Sequence, residues 1–228
     1  MQKFDTPAAI SAVLDIPAGR VQVIAADRTD TTVEVLPANA AKGRDVTAAE
    51  RTTVEFGDGV LRITAPAEKN QILGASGSIE VTVQLPAGSH IEAKAAGAEF
   101  RGVGRLGAVV GEGMHGAGTH GAVKIDEAAS VRVTAHAGDV TVGRLTGPAE
   151  ISTQKGDIHI AEATSGAVVL RTRSGDVTVG AAHGVSASLD AGTGYGRIHN
   201  TLKNTDGAAA GLNIRATTDH GDITARGL

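Results

Sequence analysis

The sequence contains no cysteine and no tryptophan, and among its 228 residues only three phenylalanines and one tyrosine. Without cysteine there is no disulfide framework and no thiolate metal centre. With so few rings, the stacking platforms that bind sugars are nearly absent, and the core must be built from Val, Ile, Leu and Ala. Such a core is thin, which suits stacked layers better than a broad globule. No run approaches the roughly 18 apolar residues of a membrane span. The opening Met1-Gln2-Lys3-Phe4-Asp5-Thr6-Pro7 has an acid and a proline where a secretory leader needs an apolar stretch, so a cytoplasmic location is expected. The formal net charge is −4, with Lys and Arg dispersed. The counterion release that drives nucleic-acid binding therefore has no source, and no nucleic-acid partner is expected.

Glycine, by contrast, is abundant at 31 residues. It opens a recurring phrase: Gly138-Asp139-Val140-Thr141-Val142, Gly156-Asp157-Ile158-His159-Ile160, Gly175-Asp176-Val177-Thr178-Val179 and Gly221-Asp222-Ile223-Thr224. The spacings are 18, 19 and 46, and a degenerate copy, Gly196-Arg197-Ile198-His199-Asn200, divides the last into 21 and 25. A period near 20 with a strand pattern inside it marks stacked β coils. Seven and five residues before each glycine the chain is apolar in every copy, as at Val131/Val133, Ala149/Ile151, Val168/Leu170, Leu189/Ala191 and Ile214/Ala216. Two and four residues after it the positions are again mostly apolar. Each coil thus reads as two short strands with alternate residues inward, joined across the glycine by a tight bend. Thr153, Thr172, Thr193 and Thr218 stand three before their glycines, a column able to hydrogen-bond from coil to coil.

The expected fold is all-β: a β-solenoid or β-helix-like stack of two-strand coils of about 18–21 residues over 89–228, after an N-terminal antiparallel β region over 1–88, the two sharing one core. In the N-terminal part, Ile10–Ile16, Arg20–Ile24, Thr32–Leu36 and Ile79–Leu85 read as strands. Thr53–Phe56 and Val60–Ile63 form a hairpin around Gly57-Asp58-Gly59. The segment from Ala38 to Arg51 contains the chain's one modest helical possibility and reads as a loop. Gly111-Glu112-Gly113-Met114-His115-Gly116-Ala117-Gly118-Thr119-His120 reads as a mobile or strained loop that interrupts the coils.

Candidate chemistry concentrates in two places. Asp139, Asp157, Asp176 and Asp222 follow the bend glycines Gly138, Gly156, Gly175 and Gly221, and stacking brings them into a column about 4.8 Å apart. Aspartate after glycine caps backbone donors in tight bends, which accounts for every copy without a ligand; a cation site or catalytic row is the sharper reading. Asp157 and Asp176 with Arg171 and Arg173 form the acid and base grouping that a glycan-acting enzyme on such a scaffold would use. Among eight histidines, His115 and His120 in the glycine-rich loop are the metal ligands to test first, although no recognised zinc spacing is met. No Gly-x-Ser-x-Gly elbow is present, and no cofactor is expected.

The order of Phe4-Asp5-Thr6-Pro7, Ala26-Asp27-Arg28-Thr29-Asp30, Leu85-Pro86-Ala87-Gly88-Ser89, the repeated phrase and Thr218-Asp219-His220-Gly221-Asp222-Ile223-Thr224 resembles the DUF4097 family across essentially the whole chain. The resemblance implies a bacterial β-strand-repeat protein of the kind labelled adhesins, with a β-solenoid and no catalytic residues to carry over. Ala122, where the repeat expects an acid, and the long His/Gly loop depart from the pattern. The function expected is a non-enzymatic scaffold or binding protein, with a glycan-acting enzyme or a partner in an envelope-stress complex as alternatives. Because Thr224–Leu228 follow the last copy directly, an open β edge is expected there, through which the protein would bind a protein partner or a second copy of itself as a homo-oligomer.

Overall fold

The computed structural model describes residues 1–66, 77–95, 97–115 and 123–228. The alternating segments form strands β1 (Gln2–Asp5), β2 (Ser11–Asp15), β3 (Ala18–Ala26), β4 (Asp30–Pro37), β5 (Thr53–Gly57), β6 (Val60–Thr64), β7 (Ile79–Pro86) and β8 (His90–Lys94). Two long strands follow, β9 (Gly97–His115) and β10 (Val123–Ala137), and then the short ones: β11 (Val140–Leu145), β12 (Ala149–Lys155), β13 (Ile158–Ala163), β14 (Gly166–Ser174), β15 (Val177–Ala181), β16 (Ala187–Tyr195), β17 (Ile198–Thr201), β18 (Leu212–His220) and β19 (Ile223–Gly227). The protein is all-β apart from helix α1 (Gly43–Arg51) and a 3-10 turn at Gly207–Ala209, and its sheet is open rather than closed into a barrel. No helix among the described residues is long and apolar enough to cross a membrane.

The strands stack in two parallel columns. One runs β7, β3, the first half of β9, the first half of β10, β11, β13, β15, β19, β17. The other runs β6, β2, β8, the second halves of β9 and β10, β12, β14, β18, β16. The chain alternates between columns, and the apolar residues the repeat predicts face each other across the gap between them. Val140, Val142, Ile158, Ile160, Val177 and Val179 have 0% exposure. One hydrophobic cluster extends from Ile10 to Ala225.

Four sequence expectations need correction. Parallel pairing reaches well into the first 88 residues, where β2, β3, β6, β7 and β8 are column strands; only β1, β4 and β5 have no parallel partner. Ala38–Arg51 is not all loop, since α1 forms there. Its Ala48 and Ala49 pack on the core, and the buried Asp45 carboxylate accepts the Ser78 amide at 3.0 Å, a partner invisible in local sequence. Gly111–His115 is strand: β9 continues to His115, with register shifts against β10 and Gly113 at φ +64°. Last, the terminal pair β18–β19 does not end the stack. It lies between β14/β15 and β16/β17, so the end coil is the degenerate copy.

The opposite end is closed. β1 pairs with β4, β4 with β7 and β5 with β6, all antiparallel, and the rings of Phe4 and Phe56 meet at 5.3 Å between the two columns. Asp30 ties β1 to β4, with Arg28 Nε at 2.8 Å and Lys3 Nζ at 3.0 Å. Hydrogen bonds from Arg28 and then Lys3 lower its pKa from 3.8 to about 2. A carboxylate whose folded pKa is depressed stabilises the fold above the unfolded value and loses that contribution as pH falls toward the folded one. Acid titration of stability should therefore show a contribution intact above about pH 4 and disappearing toward pH 2, and Asp30→Asn should remove that component.

Candidate functional site

The bends on one flank of the stack carry the repeated glycine, aspartate and threonine. In space the bend glycines follow the order Gly138, Gly156, Gly175, Gly221, Gly196. Gly156 and Gly175 show what the position demands. Their φ angles are +141° and +150°, and a Cβ on Gly175 would lie 2.1 Å from the carbonyl oxygen of Gly156. Left-handed backbone and near contact with the bend below each exclude a side chain.

The aspartates form a continuous ladder. The Asp157 amide donates to Asp139 Oδ1 at 2.9 Å, Asp176 to Asp157 Oδ1 at 2.8 Å, Asp222 to Asp176 Oδ1 at 2.7 Å, and Arg197 to Asp222 Oδ1 at 2.8 Å. Each carboxylate thus accepts the backbone N–H of the equivalent residue one coil further on. The partner is in the next coil, not in the aspartate's own turn. Arg197 is the last residue of the ladder, and among the described residues no coil beyond it offers an amide that a carboxylate would receive.

The threonines run the other way. Thr172 Oγ1 donates to the Gly156 carbonyl at 3.0 Å, Thr218 to that of Gly175 at 3.0 Å and Thr193 to that of Gly221 at 2.9 Å, while Thr153 Oγ1 reaches the Lys155 carbonyl at 3.4 Å. Aspartate and threonine therefore clamp consecutive bends from both directions. Replacing Asp157 by Ala leaves the Asp176 amide without its acceptor, and a loss of about 1 kcal/mol is expected, read from the urea midpoint.

Within the acid and base grouping suggested by the sequence, Arg171 has another partner. Arg171 turns to Glu150 at 3.9 Å, which also holds Arg132 at 3.6 Å, and no ion pair among the described residues joins Arg171 or Arg173 to Asp157 or Asp176. Further pairs, Arg144–Glu162 at 3.8 Å and Arg215–Asp190 at 2.9 Å, continue across the outer faces. His120 and Ala122 lie outside the described residues; of His115 only the backbone is placed, paired with Ala137. His159 and His199 share one outward row but are separated by Thr178 and Thr224. His136 meets Gln154, and His220 stacks on Tyr195 at 5.1 Å. Among the described residues no group of three His, Cys, Asp or Glu is placed to hold a metal ion. A shallow groove of about 500 Å³ crosses the outer face beside Arg132, Glu150 and Arg171, with Val110, Pro148 and Val169 along it.

Sequence reasoning missed the end coil. There the inward positions lose their cover: Ile198 is 46% exposed, and Leu189 and Ala191 are only half-buried. The signal was present in Arg197 and in Asn200, a polar residue at an inward position.

A family model described as Toastrack DUF4097 matches residues 102–226. A search of curated proteins found no match. Among solved structures, a putative adhesin from Bacteroides fragilis NCTC 9343 is 14% identical, with 98% of this chain and 95% of that one covered and a TM-score of 0.57, and it shares the fold. A putative cell adhesion protein from Clostridium sporogenes ATCC 15579 is 13% identical, with 100% and 98% covered and a TM-score of 0.40. A putative lipid binding protein from Parabacteroides distasonis ATCC 8503 is 11% identical, with 98% and 95% covered and a TM-score of 0.44.

Proposed function

Because the chain belongs to the Toastrack DUF4097 family, we propose that it is a non-enzymatic β-solenoid scaffold that binds a protein partner through its flat, ion-paired outer faces, adhesin-like in action and cytoplasmic in location. The observation that carries this reading is the fate of the repeated carboxylates. Asp139, Asp157, Asp176 and Asp222 each spend an oxygen on the amide of the next coil. A carboxylate held in that way is a structural acceptor, and its geometry is set by coil spacing rather than by a substrate. The outer rows around Arg132, Glu150 and Arg171 present charged, solvated surface of the kind that protein interfaces use at their rims.

The test is a turnover screen across glycans with the wild-type chain and with Asp157→Ala and Asp176→Ala. No turnover is expected from any of the three, and both variants should differ from wild type only in stability. Turnover by the wild type that either substitution abolishes, with the fold intact by circular dichroism, would overturn the proposal.

A further inference from the structure

The two ends of the stack differ in a way that names an interaction surface. At the β1/β5 end, antiparallel strands and the Phe4–Phe56 contact cover the core, although the outer edges of β1 and β5 also meet no further strand among the described residues. At the β16/β17 end no strand among the described residues pairs with the outer side of either one. This end leaves Ile198 46% and Tyr195 75% exposed, and the inward faces of Leu189 and Ala191 half-buried. An unpaired strand edge beside exposed apolar side chains is a template for another strand.

The geometry restricts what fits there. A further coil in parallel continuation would gain no ladder hydrogen bond, because Arg197 supplies no carboxylate. Head-to-tail stacking would also have to dock on the β1/β5 end, where the Phe4 and Phe56 rings already lie over the core. Two-fold association meets neither obstacle. β16 and β17 run in opposite senses, so a two-fold axis along them lays β16 of one copy antiparallel to β17 of the other, which needs no aspartate ladder. The area is also adequate. Nine residues of β16 span about 30 Å, and two sheets about 10 Å apart with their outer side chains make the end about 20 Å wide. Roughly 600 Å² would be covered per copy, about 1,200 Å² in total, at the lower bound for specific association.

We propose that two copies of this chain associate through their β16/β17 end coils as a closed two-fold dimer, the exposed edges meeting antiparallel. Sedimentation velocity of the wild-type chain across micromolar concentrations should show a monomer–dimer equilibrium that ends at the dimer. Ile198→Lys places a charge on that edge and should weaken dimerisation about tenfold or more. Asn200→Lys, also on an exposed residue of β17, should act in the same direction. Leu36→Lys, at an exposed apolar residue of β4 toward the other end, should leave it unchanged. A strict monomer, growth into ever larger species, or loss of dimer on Leu36→Lys but not on the two β17 variants would each overturn the proposal. None of these outcomes bears on glycan turnover, so the scaffold reading stands or falls separately.

Discussion

Gly175→Ala is expected to destabilise the protein by about 4 kcal/mol or more, the range in which a single change points to one specific mechanism. Two costs add at this residue. Its φ of +150° is a conformation that a side chain resists, and the added Cβ would lie 2.1 Å from the Gly156 carbonyl oxygen and 2.5 Å from its carbon. Those are backbone atoms of the coil below, so no rotamer relieves the overlap. The bends would have to part, and with them the Thr172 hydrogen bond to Gly156 and the amide of Asp176 on Asp157. For a chain of this length each kcal/mol moves the melting temperature by roughly 2–4 °C, so a fall of about 10 °C or more should appear in a thermal melt. Gly192→Ala is the matched control, because a Cβ there meets nothing within 4 Å and its φ is unexceptional. A melting point within about 2 °C of wild type is expected for it. Equal effects at the two glycines would show that helical or turn propensity, not stacking distance, governs the bend.

Phe100→Ala is expected to cost about 3–5 kcal/mol, the largest loss among core truncations in this chain. Phe100 is 1% exposed and is the largest of the fully buried side chains. It sits in β9 where that strand is flanked by Val21 of β3 on one side and Val123 of β10 on the other, so it joins the N-terminal coils to the repeated ones. Its ring edge and the Leu106 methyl crowd Gly102, at 3.5 Å and 2.7 Å from where a Cβ would stand. β9 is paired on both sides, which limits how far the space left by the ring can collapse. Denaturant unfolding should show a lower midpoint with an unchanged slope, whereas Phe100→Leu should lose less than half as much. A small effect of Phe100→Ala would mean that the two regions do not depend on one another for packing.

Much of this architecture was legible because the forces that set it are local. Alternation of apolar residues around each glycine marks strand, bend and inward face together, and Val140, Val142, Ile158 and Ile160 lie where that alternation places them. The hairpin around Asp58 follows from its glycine flanks in the same way, with β5 antiparallel to β6. What the pattern does not encode is neighbour order. Strands paired in parallel need only matching faces, and nothing in β18 itself distinguishes a place beside β14 from a place beyond β16. The order shows only in the structure, where Gly196 lies against the Gly221 carbonyl and Gly221 against that of Gly175. Helix α1 was missed for a related reason: Asp45, which reads as a solvated acid, is buried only because the Ser78 amide, 33 residues away, comes to meet it. The aspartate column was visible as a column, but whether its carboxylates face a ligand, their own turn or the next coil depends on a distance between strands.

The placement of β18–β19 between β14/β15 and β16/β17 has a consequence for how the molecule is made. In a simple linear array each unit can dock as it leaves the ribosome, and growth follows the order of synthesis. Here β16 and β17 emerge before the pair that must lie beneath them, so the end coil has no finished surface to settle on until the next twenty-odd residues are translated. The same interleaving occurs at the other extreme, where β2–β3, synthesised early, is enclosed by β6/β7 and β8/β9. Both insertions raise the sequence separation of native contacts and delay completion of each end until its later strands have been made.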